Sequence, residues 1–148
     1  MRLVIETRVD QDPEKVWAGF DRELFLSLSP GFPKIELKRF DGCKKGDEVH
    51  LELAFPFFKQ EWNSLIIESG LEDQGYYFID QGIKLPFFLT YWEHKHRILP
   101  SDGGSLIVDD IFYKAYNPVF ERLLFPNLWL SFYQRKSKYQ KRFRMIPQ

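Results

Sequence analysis

A chain of 148 residues with 44% apolar and 28% charged side chains can bury a substantial core, which excludes disordered and collagen-like classes. The formal net charge is zero, so the molecule as a whole has no attraction towards nucleic acid or membrane. Its one cysteine, Cys43, rules out an internal disulfide, and neither a signal-peptide pattern nor an apolar run of membrane-spanning length is present; a cytoplasmic protein is expected.

Residues 2–9 alternate, with Leu3, Ile5, Thr7 and Val9 opposed to Arg2, Glu6 and Arg8, the pattern of a half-buried strand. DPEKVWAGF then opens a helix: Asp12 caps it, Pro13 suits the first helical position, and Val16, Trp17 and Phe20 form its apolar stripe. A second short helix carries Leu24, Phe25 and Leu28 and ends at SPGFP. From there the period is two, with strands expected over 34–40, 47–55, 58–68, 75–84, 89–99 and 105–115. The breaks DGCKKGD, Pro56, GLEDQG, Pro86 and PSDGG are turns too short for crossover helices, so neighbouring strands run antiparallel. Asn117 and Pro118 can start a helical turn, and a longer helix is expected from near Pro126 to about residue 143, with Leu124, Leu128, Phe132, Tyr139 and Phe143 on one stripe.

The resulting class is α+β: a curved antiparallel sheet of six to seven strands, two short helices, and a long C-terminal helix, in one domain over 1–148. One helix cannot fill a strongly curved sheet. The 18% aromatic content therefore lines a cavity or packs a very aromatic core. After Glu121 the chain has no acidic residue but seven basic ones, which complement the dipole of a terminal helix.

The stretch YWEHKHR places Trp92, His94 and His96 on one strand face. On the neighbouring strands Phe58, Gln60, Trp62, Phe78 and Asp80 share the inward pattern, and Phe132 faces them from the helix. The strand 105–115 is ambiguous, because Leu106, Val108, Asp110 and Phe112 compete with Ile107, Asp109, Ile111 and Tyr113 for the inward face. A hairpin centred on SDGG brings His94 and His96 opposite residues 109–111, within about 5 Å.

With these residues in view, the chain resembles the START-like, pollen-allergen-like helix-grip superfamily (SRPBCC) over essentially its whole length. The stretches FIDQG, LPF, YWEHKHR, GGSLIVDDIFY and FYQR are similar to a bacterial branch of ligand-binding, cell-division-inhibitor-like members. Trp92, His94, His96, Gly103, Gly104, Asp109 and Tyr113 match that branch's pattern, whereas Leu85 stands where it usually has glycine. The resemblance implies a pocket for a hydrophobic or amphipathic small molecule beneath the terminal helix, and it turns Asp109 and Tyr113 inward. It does not imply one reaction, since the superfamily includes lipid carriers, hormone and flavonoid binders, and polyketide cyclases.

Four readings of the histidine strand compete. Ligand binding without chemistry would use Phe58, Gln60, Trp62, Phe78, Asp80, Trp92, His94, His96, Asp109, Tyr113 and Phe132 to hold a small molecule. Acid–base chemistry of a cyclase, hydratase or hydrolase would use His94 or His96 as base, Asp109 or Asp80 to orient it, and Tyr113 to polarise a carbonyl. Metal binding would use His-x-His with Asp109, but no ligand-rich loop supports it and no metal is expected. The last is a self-satisfied polar network that fixes strand register. No phosphate loop or dinucleotide fingerprint implies a cofactor, and no nucleic-acid partner or membrane insertion is expected. An interaction module with a vestigial cavity and a homodimer are both left open. His50 is expected to be exposed, as is Cys43 in its turn.

Overall fold

The structure is a computed structural model that describes residues 1–144. In chain order the elements are β1 (Arg2–Val9), α1 (Pro13–Ala18), α2 (Arg22–Ser27), β2 (Lys34–Phe40), β3 (Glu48–Ala54), β4 (Lys59–Glu72), β5 (Gly75–Lys84), β6 (Tyr91–Ser101), β7 (Gly104–Lys114), α3 (Pro118–Tyr133) and α4 (Arg135–Arg142). The strands form one antiparallel sheet in the order β1-β7-β6-β5-β4-β3-β2. The pairing from β2 to β7 follows the chain, as the short turns require. β1 closes on the far edge beside β7.

Sequence periodicity becomes burial directly. Leu3, Ile5, Thr7 and Val9 are buried while their neighbours on β1 are exposed. Register shifts between Leu37 and Arg39, between Asn63 and Ser64, and between Ile66 and Glu68 bend the sheet around its inner face. Three side-chain caps start the helices: Asp12 accepts from the Lys15 amide at 3.0 Å, Asp21 from Leu24 at 2.9 Å, and Asn117 from Phe120 at 3.0 Å.

The terminal helix departs from expectation at its start. It begins at Pro118 rather than Pro126, runs through Pro126, and breaks only at Gln134 before α4. A proline inside a helix costs about 3 kcal/mol. Packing Leu124, Phe125 and Leu128 against the sheet returns about 1.5–3 kcal/mol for each side chain fully buried, so even partial burial of three offsets that loss. Phe132, Tyr139 and Phe143 are buried on the expected stripe.

α3 packs on β1 and β7, α4 on β1, and α1 on β5, β6 and β7. Two apolar clusters result. One gathers Val16, Phe20, Leu24, Phe78, Tyr139 and Phe143 beneath the short helices, and the other gathers Leu3, Trp92, Ile111, Tyr113 and Phe132 beneath α3. Cys43 belongs to the first cluster and is 8% exposed, with its thiol 3.6 Å from the Phe20 carbonyl oxygen, so the expected exposed turn residue is a core residue. The turn folds inward because Gly42 and Gly46 both take positive φ, which lets the chain reverse without strain. His50, expected to be exposed, is half-buried and sits 3.1 Å from Glu48.

Candidate functional site

Strand register alone assembles the site. His94 lies opposite Asp80 on one side and Ile111 on the other, while His96 lies between Phe78 and Asp109. The inward face of β7 is the one carrying Ile107, Asp109, Ile111 and Tyr113, all at most 1% exposed, whereas Phe112 is 42% exposed. Two histidines and two aspartates thus share the concave face of three adjacent strands, between the two apolar clusters.

Their hydrogen bonds run diagonally. His94 Nε2 is 2.8 Å from Asp109 Oδ1, and His96 Nε2 is 2.8 Å from Asp80 Oδ2. The remaining nitrogens approach the opposite carboxylates less closely, with His94 Nδ1 3.6 Å from Asp80 Oδ2 and His96 Nδ1 3.7 Å from Asp109 Oδ1. The imidazoles stack at 3.5 Å between ring centroids. Each ring therefore presents one nitrogen to Asp80 and the other to Asp109.

Aromatic rings surround the cluster, leaving Asp80 partly exposed. Phe78 stacks on His96 at 4.0 Å, Phe132 meets His94 edge-on at 5.2 Å, and Phe20 meets His96 edge-on at 6.4 Å. Trp92 donates its indole N–H to Asp80 Oδ1 at 3.2 Å and packs against Trp62. The Tyr139 hydroxyl reaches Asp109 Oδ1 at 3.5 Å, and the Arg135 guanidinium lies over the Phe132 ring at 4.2 Å. Tyr139 and Arg135 were not expected at the site. Tyr139 is legible in the sequence only as a residue of the helix stripe, and nothing there marks Arg135.

The electrostatics follow from burial opposed by pairing. Burial is the largest single influence on Asp80 and acts to raise its pKa. The hydrogen bond from His96, the charge of the adjoining imidazoles and the Trp92 N–H together outweigh it and hold the pKa below the ordinary carboxylate range. Asp109 is held low in the same way, against burial, by the hydrogen bond from His94, the two imidazoles and the Arg135 charge. Burial and then the neighbouring His94 push His96 down to about 4, against the pull of both carboxylates. His96 is thus a neutral ring at pH 7. Burial, then Asp109, raises the Tyr139 hydroxyl. Two buried polar atoms of the cluster, His96 Nδ1 and Asp109 Oδ2, have no hydrogen-bond partner, as is true elsewhere of Thr7 Oγ1, Glu72 Oε2 and Arg97 Nε.

The other expected site residues divide. Phe78, Asp80, Trp92, His94, His96, Asp109 and Phe132 come together. Trp62 adjoins them, half-buried on β4. Tyr113 is fully buried but donates its hydroxyl to the Glu121 carbonyl at 2.7 Å, tying β7 to α3; burial, then Glu121, raises its pKa to about 12. Gln60 accepts from the Phe87 amide at 3.0 Å, and Phe58 is 46% exposed in the turn before β4, stacked on Phe55. These three stand outside the polar cluster. A groove of about 380 Å³ lined by Glu52, Lys59, Gln60, Glu61, Lys84 and Leu85 is charged, with Lys59 paired to Glu52 and Lys84 to Glu61. It lies away from the histidines and has no convergent chemistry.

Asp80, His94 and His96 each offer a ligand atom within 4.8 Å of the others, so the metal-capable set includes Asp80 and not the expected Asp109. No helix among the described residues is long and apolar enough to cross a membrane.

No protein-family model and no curated protein matches the chain. Solved structures do. Norcoclaurine synthase from Thalictrum flavum superposes with a TM-score of 0.69 at 17% identity, covering 95% of this chain and 84% of that one. The Zhui aromatase/cyclase from Streptomyces sp. R1128 gives 0.65 at 12% identity, over 95% and 92%. Ara h 8.0201 gives 0.60 at 15% identity, over 94% and 97%. Each superposes over nearly the whole of this curved sheet and its terminal helix, and the chain therefore shares their fold, a helix-grip arrangement of curved antiparallel sheet and C-terminal helix.

Proposed function

We propose that the protein binds a hydrophobic or amphipathic small molecule between the inner face of the sheet and α3, oriented by the His–Asp cluster. The observation that carries this reading is the junction of two surfaces. Trp62 on β4 and Phe125 and Leu128 on α3 leave apolar area half-buried against Trp92 and Phe132, and those two rings adjoin His94 of the His–Asp cluster, in which His96 Nδ1 and Asp109 Oδ2 lack partners. Apolar walls with a few convergent polar atoms are what a small-molecule site requires. The solved neighbours support an aromatic ligand class: one is norcoclaurine synthase in complex with dopamine and hydroxybenzaldehyde, another an aromatase/cyclase.

Catalysis of the cyclase, hydratase or hydrolase kind is the second reading, favoured by the two carboxylate-oriented imidazoles. A ring titrating at about 4, however, is a weak base at pH 7. His96 is better suited to accept a hydrogen bond from a ligand than to remove a proton. A free thiol kept buried suits a carrier or sensor in a reducing compartment such as the cytoplasm.

The test is titration of 1-anilinonaphthalene-8-sulfonate into chelator-treated protein, read by fluorescence. Saturable one-to-one binding is expected, weakened at least tenfold by Trp62→Ala and unchanged by Phe57→Ala, whose ring is 97% exposed. Failure of the folded wild type to saturate, or equal affinity in Trp62→Ala, refutes the reading.

A further inference from the structure

The geometry points to a second use of the cluster: we propose that Asp80, His94 and His96 form a three-ligand site for a divalent transition-metal ion, with Asp109 holding both imidazoles from behind. Alternate residues of one strand put both rings on one face, and register sets Asp80 directly opposite His94. Two imidazoles and one carboxylate suit zinc or iron(II) and leave coordination positions for water or substrate.

The distances fit. With ligand bonds of about 2.0–2.1 Å, neighbouring ligand atoms of a tetrahedral site stand about 3.3–3.5 Å apart. Asp80 Oδ2 is 3.6 Å from His94 Nδ1 and 2.8 Å from His96 Nε2. Of these two pairs the second must open, by roughly half an ångström on the same scale, as a metal replaces the shared proton, and all three ligand atoms lie within 4.8 Å of one another.

The outer contacts fit as well. Metal-bound histidines donate their other N–H to a carboxylate or carbonyl. Here both rear nitrogens face Asp109, His94 Nε2 at 2.8 Å and His96 Nδ1 at 3.7 Å. The Trp92 N–H steadies the second oxygen of Asp80.

A metal also accounts for one otherwise unexplained atom. With His96 Nε2 hydrogen-bonded to Asp80, its Nδ1 is a buried lone pair without a partner. Such groups cost stability when left unpaired. Metal at Nε2 moves the ring proton to Nδ1, where it points at Asp109, so an acceptor facing an acceptor becomes a donor facing one. A dication also neutralises two carboxylates that no lysine or arginine contacts directly among the described residues, Arg135 acting only from beyond Tyr139 and Phe132.

This site does not depend on an organic ligand, and its test uses metal alone. Chelator-treated wild-type protein is titrated with Zn²⁺ by calorimetry, and Co²⁺ loading is read by visible absorption. One equivalent is expected, with a d–d spectrum of nitrogen and oxygen coordination. Asp80→Asn and His94→Ala weaken Zn²⁺ binding at least a hundredfold, with circular dichroism confirming the fold. Asp80→Asn, which keeps the side chain's shape, decides the matter if His94→Ala does not fold. Asp109→Asn retains the three ligands and loses about 10–100-fold, while His50→Ala, outside the cluster, changes nothing. Zn²⁺ affinity equal in wild type and Asp80→Asn, or abolished by His50→Ala, overturns the proposal whatever the fluorescence titration shows.

Discussion

Asp109 and Asp110 are adjacent in sequence and opposite in consequence, and replacing each with alanine tests the site directly. Asp109 is 1% exposed and accepts from His94 at 2.8 Å. Its removal eliminates a charge-assisted hydrogen bond of about 1.5–3 kcal/mol and strands a buried imidazole N–H. Breaking one partner of a buried pair typically destabilises by about 3–5 kcal/mol, which for a chain of this length lowers the melting temperature by about 10 °C or more. Asp110 points to the other face, where both its oxygens meet the Arg2 guanidinium at 2.8–2.9 Å in the open. Solvent and salt screen that pair, so Asp110→Ala loses only a small fraction of what Asp109→Ala loses. Asp109→Asn falls between, because it keeps an acceptor and the side chain's shape. The assay is urea unfolding at pH 7.5 with a chelator present, followed by tryptophan fluorescence and circular dichroism together. A loss below about 1 kcal/mol for Asp109→Ala, well under the range for a broken buried pair, refutes the account. So does a larger loss for Asp110→Ala.

Two further outcomes follow from local geometry. At Gly75 an added Cβ would stand 2.0 Å from the Ile98 carbonyl oxygen, a backbone atom that cannot move aside without parting β5 from β6. Gly75→Ala is therefore expected to destabilise by more than about 2 kcal/mol in urea, and a neutral result would show that the strands yield. Burial, followed by the charges of Asp80, Asp47 and Asp21, raises the Cys43 thiol to about 12. A pKa higher in the folded than in the unfolded chain adds stability that is complete below the unfolded value, near about 8.5, and is lost as pH rises towards the folded one. Native protein should resist a thiol reagent at pH 8 that reacts at once in urea, and Cys43→Val should flatten the stability loss between those limits. Rapid labelling of native protein would contradict this.

Much of the architecture was legible because it is local. Alternation of Leu3, Ile5, Thr7 and Val9 makes a strand with one buried face wherever it is placed. Asp12 with Pro13, and Asn117 with Pro118, mark helix starts by capping chemistry that needs only neighbouring residues. Short turns dictated antiparallel neighbours, and from them the placing of His96 opposite Asp109. The aromatic surplus announced a roomy or ring-filled interior, and Phe20, Phe78, Trp92 and Phe132 occupy it.

Tertiary structure decided what depends on neighbours distant in sequence. Either face of β7 reads as apolar, and only its place between β1 and β6 turned Asp109 inward and Phe112 out. Pro126 looked like a helix start because its missing N–H forbids interior positions locally, yet burial of Leu124, Phe125 and Leu128 outweighs one lost hydrogen bond. Cys43 looked exposed in a polar turn until Gly42 and Gly46 folded that turn beneath α2. Tyr113 matched a family pattern but spends its hydroxyl on α3. The histidine strand itself needed only a period of two, whereas its chemistry needed Asp80 from one flank and Asp109 from the other. Periodicity is written residue by residue along the chain. The company a side chain keeps is set by register and packing, and those exist only once the sheet has closed.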